Sequence, residues 1–165
     1  MPYKFLSHTA DLKIHAEGKS IEAVFINCSL ALKEAICGKI KVKNKIKKKI
    51  QIEGKDYERL LYEFLEQFLY LLDAEDFILS KIDKIRIINK NNSIKLNAGK
   101  AKQRLNKSIK SLGINNKSSL ILIAEIFGDK ASCYKFSNDV KAITYNDMKI
   151  TKGNSKTIIE FVVDV

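Results

Sequence analysis

The sequence predicts a single α+β domain with a largely antiparallel sheet and two main helices. Two segments carry apolar side chains at helical spacing, and the remaining apolar segments are short and rich in Ile, Val, Leu and Phe. The helices and strands do not alternate strictly along the chain, which argues against a parallel α/β fold. With 165 residues and 45% hydrophobic composition, one core can form.

The first predicted elements are two short strands, at residues 3–6 and 12–17. A helix then starts at Ser20, an N-cap residue, and ends before Gly38. One helical stripe holds its apolar side chains, which are Ile21, Val24, Phe25, Cys28, Leu32, Ala35 and Ile36.

The next segment, residues 40–52, changes to a period of two and is predicted as a strand. One face is apolar and the other carries lysines, among them Lys43, Lys45, Lys47 and Lys49. After Gly54 interrupts this strand, Asp56 caps a second helix that runs to about Leu72 and buries a broad apolar face.

The later half is predicted to be mostly β-structure. The expected strands are 77–88, 94–97, 119–127, 139–151 and 156–163. A basic stretch at 99–118 separates them and is interpreted as an insertion, so that the chain forms one domain over residues 1–165.

The net charge of +11 is concentrated in two stretches. Residues 39–49 hold seven lysines and residues 100–117 hold six basic residues, with no acid in either. Removing these 13 from the 30 basic residues leaves 17, against 19 acids. Clustered positive charge suits an anionic partner, so a direct RNA-binding chaperone is one hypothesis, with the four lysines above as RNA or partner contacts. The other interpretation of these lysines is a solvated strand face.

Several classes of protein are disfavoured by what the sequence lacks. It has no apolar run long enough to span a bilayer and no secretory signal, so we expect a cytoplasmic protein without a membrane partner. Its three cysteines lack the spacing of a zinc site or a disulfide framework. Phosphate-binding and dinucleotide-binding loops are absent, and an enzyme has little support.

Carboxylates lie near both ends of the sequence, at Asp11 and Asp164, and Val165 follows the second. If the two ends meet, their oxygens repel one another unless a cation lies between them, and Ca²⁺ accepts six to eight such ligands. His8 could orient Asp11 or hydrogen-bond a neighbouring strand. A metal-dependent hydrolase at this pair is the corresponding enzymatic hypothesis.

Three segments together resemble the archease family. They are FLSHTADLKIHAEGKSIEAVFINCSLAL, RLLYEFLEQFLYLLDAEDF, and VKAITYNDMKI followed by the terminal FVVDV. The H-T-A-D, V-K-A-x-T-Y and V-D-V elements are specific in combination. The sequence departs from the family where Asn146 replaces a histidine, and where GDKASCYKFSNDVKA lacks an arginine–histidine pair.

The resemblance implies an α+β domain that is not an enzyme. It implies a metal-binding accessory protein, or chaperone, of the GTP-dependent RNA-splicing ligase that joins tRNA halves, promoting guanylylation and multiple turnover of that ligase. It also implies a divalent-metal site, with Ca²⁺ as the expected ion, at Asp11, Asp164 and Val165. His8 would then belong to the surroundings of the metal.

Overall fold

The computed structural model describes residues 2–6, 11–89, 120–136 and 139–165. Within these ranges the chain forms seven strands and two helices: β1 Tyr3–Leu6, β2 Leu12–Gly18, α1 Ile21–Cys37, β3 Ile46–Gly54, α2 Tyr57–Glu75, β4 Phe77–Asn89, β5 Leu120–Lys130, β6 Ala142–Lys152 and β7 Thr157–Asp164. The predicted α+β class is confirmed. The predicted strand at 94–97 and the insertion at 99–118 lie outside the described residues. No helix of the described part is long and apolar enough to cross a membrane.

The strands form two antiparallel sheets. The first sheet has the order β1-β2-β7-β6, and the second has the order β3-β5-β4. Both helices contact both sheets, since α1 packs on β2 and β4 while α2 packs on β6 and β3. The helices therefore bridge the sheets and carry the core between them.

The first helix is buried more widely than a single apolar stripe. Ser29, Ala31 and Cys37 are buried in addition to the predicted positions. The ring of Phe25 stacks on Phe64 of α2, with 6.1 Å between ring centroids. Contact with a sheet on each side explains this burial, because a helix at the surface of a fold leaves one face in water.

The helix termini follow the predicted caps. Ser20 Oγ accepts a hydrogen bond from the Ala23 amide, and Asp56 Oδ1 accepts one from the Arg59 amide. The second helix continues to Glu75, three residues beyond the predicted end. It ends there because Asp76 adopts the left-handed conformation that terminates helices.

The third strand begins at Ile46, six residues later than predicted. The preceding backbone instead bonds to groups around β4 and β5. The Lys43 amide donates to the Tyr134 hydroxyl, the Lys45 amide donates to the Gly128 carbonyl, and Ser80 Oγ donates to the Val42 carbonyl. The lysine-bearing strand face is therefore shorter than the sequence pattern indicates.

Candidate functional site

The pairing of β2 with β7 brings the two ends of the sequence together. Leu12 lies opposite Val163 in this antiparallel ladder. Asp11 directly precedes Leu12, and Asp164 directly follows Val163. Two of the residues predicted from sequence as metal ligands, Asp11 and Asp164, therefore lie at the same end of the first sheet.

On the other side of β7 from β2, this end of the sheet is completed by β6. Asp164 lies opposite Ala142, and its carbonyl accepts a hydrogen bond of 2.9 Å from the Lys141 amide. The backbone of Asp164 is thus held from β6 while its side chain is exposed, as is Val165, and Asp11 is half-buried. These positions form an open acidic end that a cation or a partner can approach.

The neighbouring acids of this sheet are already neutralised. Glu160 pairs with Lys13 at 2.9 Å and with His15 at 3.1 Å, and Glu17 pairs with Lys156 at 2.7 Å. The Lys13 hydrogen bond, assisted by that of His15, lowers the pKa of Glu160. The charge of this face is therefore balanced next to the acidic end.

Asp11 and Asp164 differ from those acids. Neither has an ion pair with the residues that the structure describes. Within those residues no group of three or more His, Cys, Asp or Glu side chains could hold a metal. Two carboxylates and the main-chain oxygens of Val165 are nevertheless all hard donors, which fits Ca²⁺ with further ligands from water or a partner. His8 lies outside the described residues.

A groove of about 400 Å³ lies between the end of α2 and the residues that precede β6. Asp139 and Val140, which directly precede Lys141, line it together with Asp73 and Asp76 near the end of α2. Ser132 donates two hydrogen bonds of 2.7 Å to the Asp76 carboxylate, one from its amide to Oδ1 and one from its hydroxyl to Oδ2. Phe136 lines the same groove and is 40% exposed. The sequence did not predict this groove, because its lining residues come from separate segments of the chain.

The candidate lysines differ in their surroundings. Lys47 pairs with Glu125 at 2.8 Å, and this ion pair lowers the pKa of Glu125 and raises that of Lys47. Lys45 lies 3.4 Å from Asp129. Lys43 and Lys45 precede β3, so only Lys47 and Lys49 of the four belong to the strand face. The positive charge of the 39–49 stretch is thus partly balanced by acids of β5.

The acid paired with Lys45 belongs to a buried network. Asp129 is 3% exposed and accepts a 2.8 Å hydrogen bond from the Tyr134 hydroxyl. Burial acts to raise the pKa of Asp129, but the hydrogen bonds from Tyr134 and the Lys130 amide, with Lys45 nearby, outweigh it and lower the pKa. This network fixes the entry to β3 and has a structural role.

The whole described fold, and the acidic end within it, can be compared with known proteins. The model of the Archease protein family matches residues 3–165. The chain belongs to the archease family. Proteins named archease from Pyrococcus furiosus and Methanosarcina barkeri are 33% and 31% identical to it, over 99% of this chain and 98% and 95% of theirs.

Two solved structures share the archease fold. A solution structure of a Methanobacterium thermoautotrophicum protein has a TM-score of 0.73 at 23% identity, covering 99% of each chain. A crystal structure described as an archease, possible chaperone, from Thermotoga maritima has a TM-score of 0.53 at 14% identity, covering 98% of this chain and 96% of that one. At these identities the likeness establishes the fold.

One archease-like element has a structural anchor that sequence reasoning did not find. The ladder between β6 and β7 is interrupted between Thr144 and Lys149. Within this irregularity the Tyr145 ring contacts the Tyr62 ring of α2, 5.4 Å away, and Arg59 lies over both rings. The V-K-A-x-T-Y segment is therefore held against the second helix by aromatic contact.

Proposed function

We propose that this archease-family protein is a metal-binding, non-catalytic accessory protein of tRNA splicing. Its partner is the GTP-dependent RNA-splicing ligase, and it promotes guanylylation and multiple turnover of that ligase in the cytoplasm. The observation that supports the proposal is the β2–β7 register, which brings Asp11 and Asp164 to the same end of the first sheet. Family membership supports the accessory role, and the Thermotoga maritima relative is described as a possible chaperone.

The acidic end would hold a divalent cation, with Ca²⁺ as the expected ion. The side chains of Asp11 and Asp164 and the main-chain oxygens of Val165 are the proposed ligands. A bound divalent cation would neutralise the two carboxylates, and its remaining coordination positions would accept oxygen ligands from water or a partner. Since neither aspartate has an ion pair within the described part of the chain, no protein cation competes there.

The proposed action on the ligase is positioning. A protein that docks beside a ligase active site can hold the reacting groups in a productive arrangement without taking part in bond formation. The groove lined by Asp139, Val140 and Phe136 is linked to the proposed metal site through Lys141, whose amide bonds to the Asp164 carbonyl, and it offers an exposed ring for such contact. The proposed docking surface therefore includes the acidic end and this groove.

The test is ligated RNA formed per ligase molecule, at limiting ligase, with Ca²⁺ present. We expect the parent to raise turnover above one product per ligase, and Asp11→Asn and Asp164→Asn to lose that stimulation while remaining folded. Asp147→Asn is the matched control, because Asp147 is an exposed acid on the same sheet, away from the proposed site.

Two results would overturn the proposal. One is full stimulation by both site variants after chelation of divalent metal. The other is metal-dependent turnover of RNA by the isolated protein, which would favour the hydrolase hypothesis.

A further inference from the structure

A cationic groove lies beside β4, the edge strand of the second sheet, and Ile26 of α1 is among the residues that line it. Lys49 of β3 and Lys84 and Arg86 of β4 line it, around the half-buried Ile88 and Ile123. Its volume is about 580 Å³. All three cations are exposed. Two of them belong to β4, which lies outside both basic stretches of the sequence.

The three cations are available to a ligand. None has an ion pair with a residue that the structure describes. Glu125, the acid between them in the sheet, is already paired with Lys47 at 2.8 Å. Asp83 is the other acid of the groove, and it lies 3.5 Å from Lys81. The local charge left for a ligand is therefore positive.

The spacing of the cations suits a chain of regularly repeated anions. Lys84 and Arg86 are two residues apart on one strand, which places them about 6.7 Å apart along it. Lys49 lies across β5 from them, two strand spacings away or about 9.6 Å. Lys84 and Arg86 therefore form a short row of positive charge on β4, and Lys49 lies on the other side of β5, where Glu125 is opposite both Lys49 and Lys84 and Ile123 is opposite Arg86.

Two apolar side chains of the groove favour nucleic acid over a polyanion without apolar groups. Ile88 and Ile123 are half-buried lining residues, and they offer apolar contact to bases while phosphates contact the cations. The exposed large hydrophobic residues of the described chain, Phe5, Tyr70, Phe136 and Val165, are all elsewhere, so the groove lacks an element for insertion into a lipid surface.

We propose that this cationic groove binds a single nucleic-acid strand, with phosphates on Lys49, Lys84 and Arg86 and bases against Ile88 and Ile123. The choice of RNA over DNA rests on the proposed function. The groove and the acidic end of the first sheet are separate surfaces, made by different sheets. The protein would hold RNA on one surface and contact its protein partner with the other.

The experiment measures binding of a labelled single-stranded RNA of about 12 nucleotides to the isolated full chain, by fluorescence anisotropy. Three phosphate contacts predict a salt slope of about −2, or a loss of affinity of about 20-fold between roughly 50 and 200 mM salt. Lys84→Glu with Arg86→Glu should weaken binding at the lower salt at least about tenfold. Lys84→Gln with Arg86→Gln should reduce the slope by about 1.4.

The matched control is Lys4→Glu with Lys19→Glu, which makes the same charge change at exposed lysines near the first sheet. If this control retains RNA binding, the result supports the proposal that the groove binds RNA. If both double variants weaken binding equally, net charge alone attracts RNA and the proposal is wrong. Tighter binding to anionic phospholipid vesicles or to poly-glutamate than to RNA also overturns it. The RNA-binding measurement contains no ligase, so a lack of RNA binding does not contradict the proposed function. A lack of ligase stimulation likewise does not contradict RNA binding by the groove.

Discussion

Replacing Asp164 with asparagine should change stability in opposite directions with and without metal. The β2–β7 register brings Asp164 and Asp11 to the same end of the sheet, and residues at opposite positions of an antiparallel pair have Cβ atoms about 5 Å apart. Two unit negative charges at that separation repel by about 1 kcal/mol in a solvent-like dielectric, the appropriate limit because Asp164 is exposed. Removing one charge should therefore stabilise the chelated protein by about 1 kcal/mol, which raises Tm by roughly 2–4 °C.

Added Ca²⁺ should reverse the order of the two proteins. A ligand present at 100 times its Kd stabilises a folded protein by about 2.7 kcal/mol. The parent gains this stabilisation, whereas Asp164→Asn loses a charged ligand and binds more weakly. The parent should then be the more stable protein by about 1.7 kcal/mol at most.

The assay is thermal unfolding followed by circular dichroism, first with chelator and then with increasing Ca²⁺. Asp11→Asn should show the same two changes in stability, because it removes the same repulsion between the two carboxylates and also removes a proposed Ca²⁺ ligand. Asp147→Asn, with its exposed acid away from the site, should respond to Ca²⁺ like the parent. A variant that is less stable than the parent in chelator and gains as much from Ca²⁺ would refute the reasoning.

Two further predictions concern the core and the outer face of the first sheet. Phe64 is fully buried and stacked on Phe25, so Phe64→Ala should lower the free energy of unfolding in urea by about 3–5 kcal/mol, whereas Tyr70→Ala, 57% exposed on the same helix, should change it by less than about 0.5. The pKa of Glu160 is lowered by Lys13 below its ordinary value of 4.5, so its stabilisation is present above that value and is lost as pH falls through the folded-state pKa. Glu160→Gln should therefore destabilise the protein at pH 7 and converge with the parent in acid, and an equal difference at both pH values would contradict this.

The sequence alone determined the local elements. Ser20 and Asp56 cap the two helices because each side chain meets an amide only three residues away. The two-residue and helical periods of the apolar side chains likewise identified the helices and most of the described strands to within a few residues, whereas β3 begins six residues later than predicted. The family resemblance also followed from sequence, and the match to residues 3–165 confirmed it.

Contacts between distant parts of the chain required the tertiary structure. His15 and Glu160 are 145 residues apart in the sequence and are hydrogen-bonded. The same ladder brings Asp11 and Asp164 to one end of the sheet, whereas the sequence shows only that they would be close if its two ends met. The division into two sheets, and the placing of Lys84 and Arg86 beside Lys49, depend on which strands pair. Local periodicity shows which face of a strand is apolar, but the partner of that strand is selected by packing across the whole core.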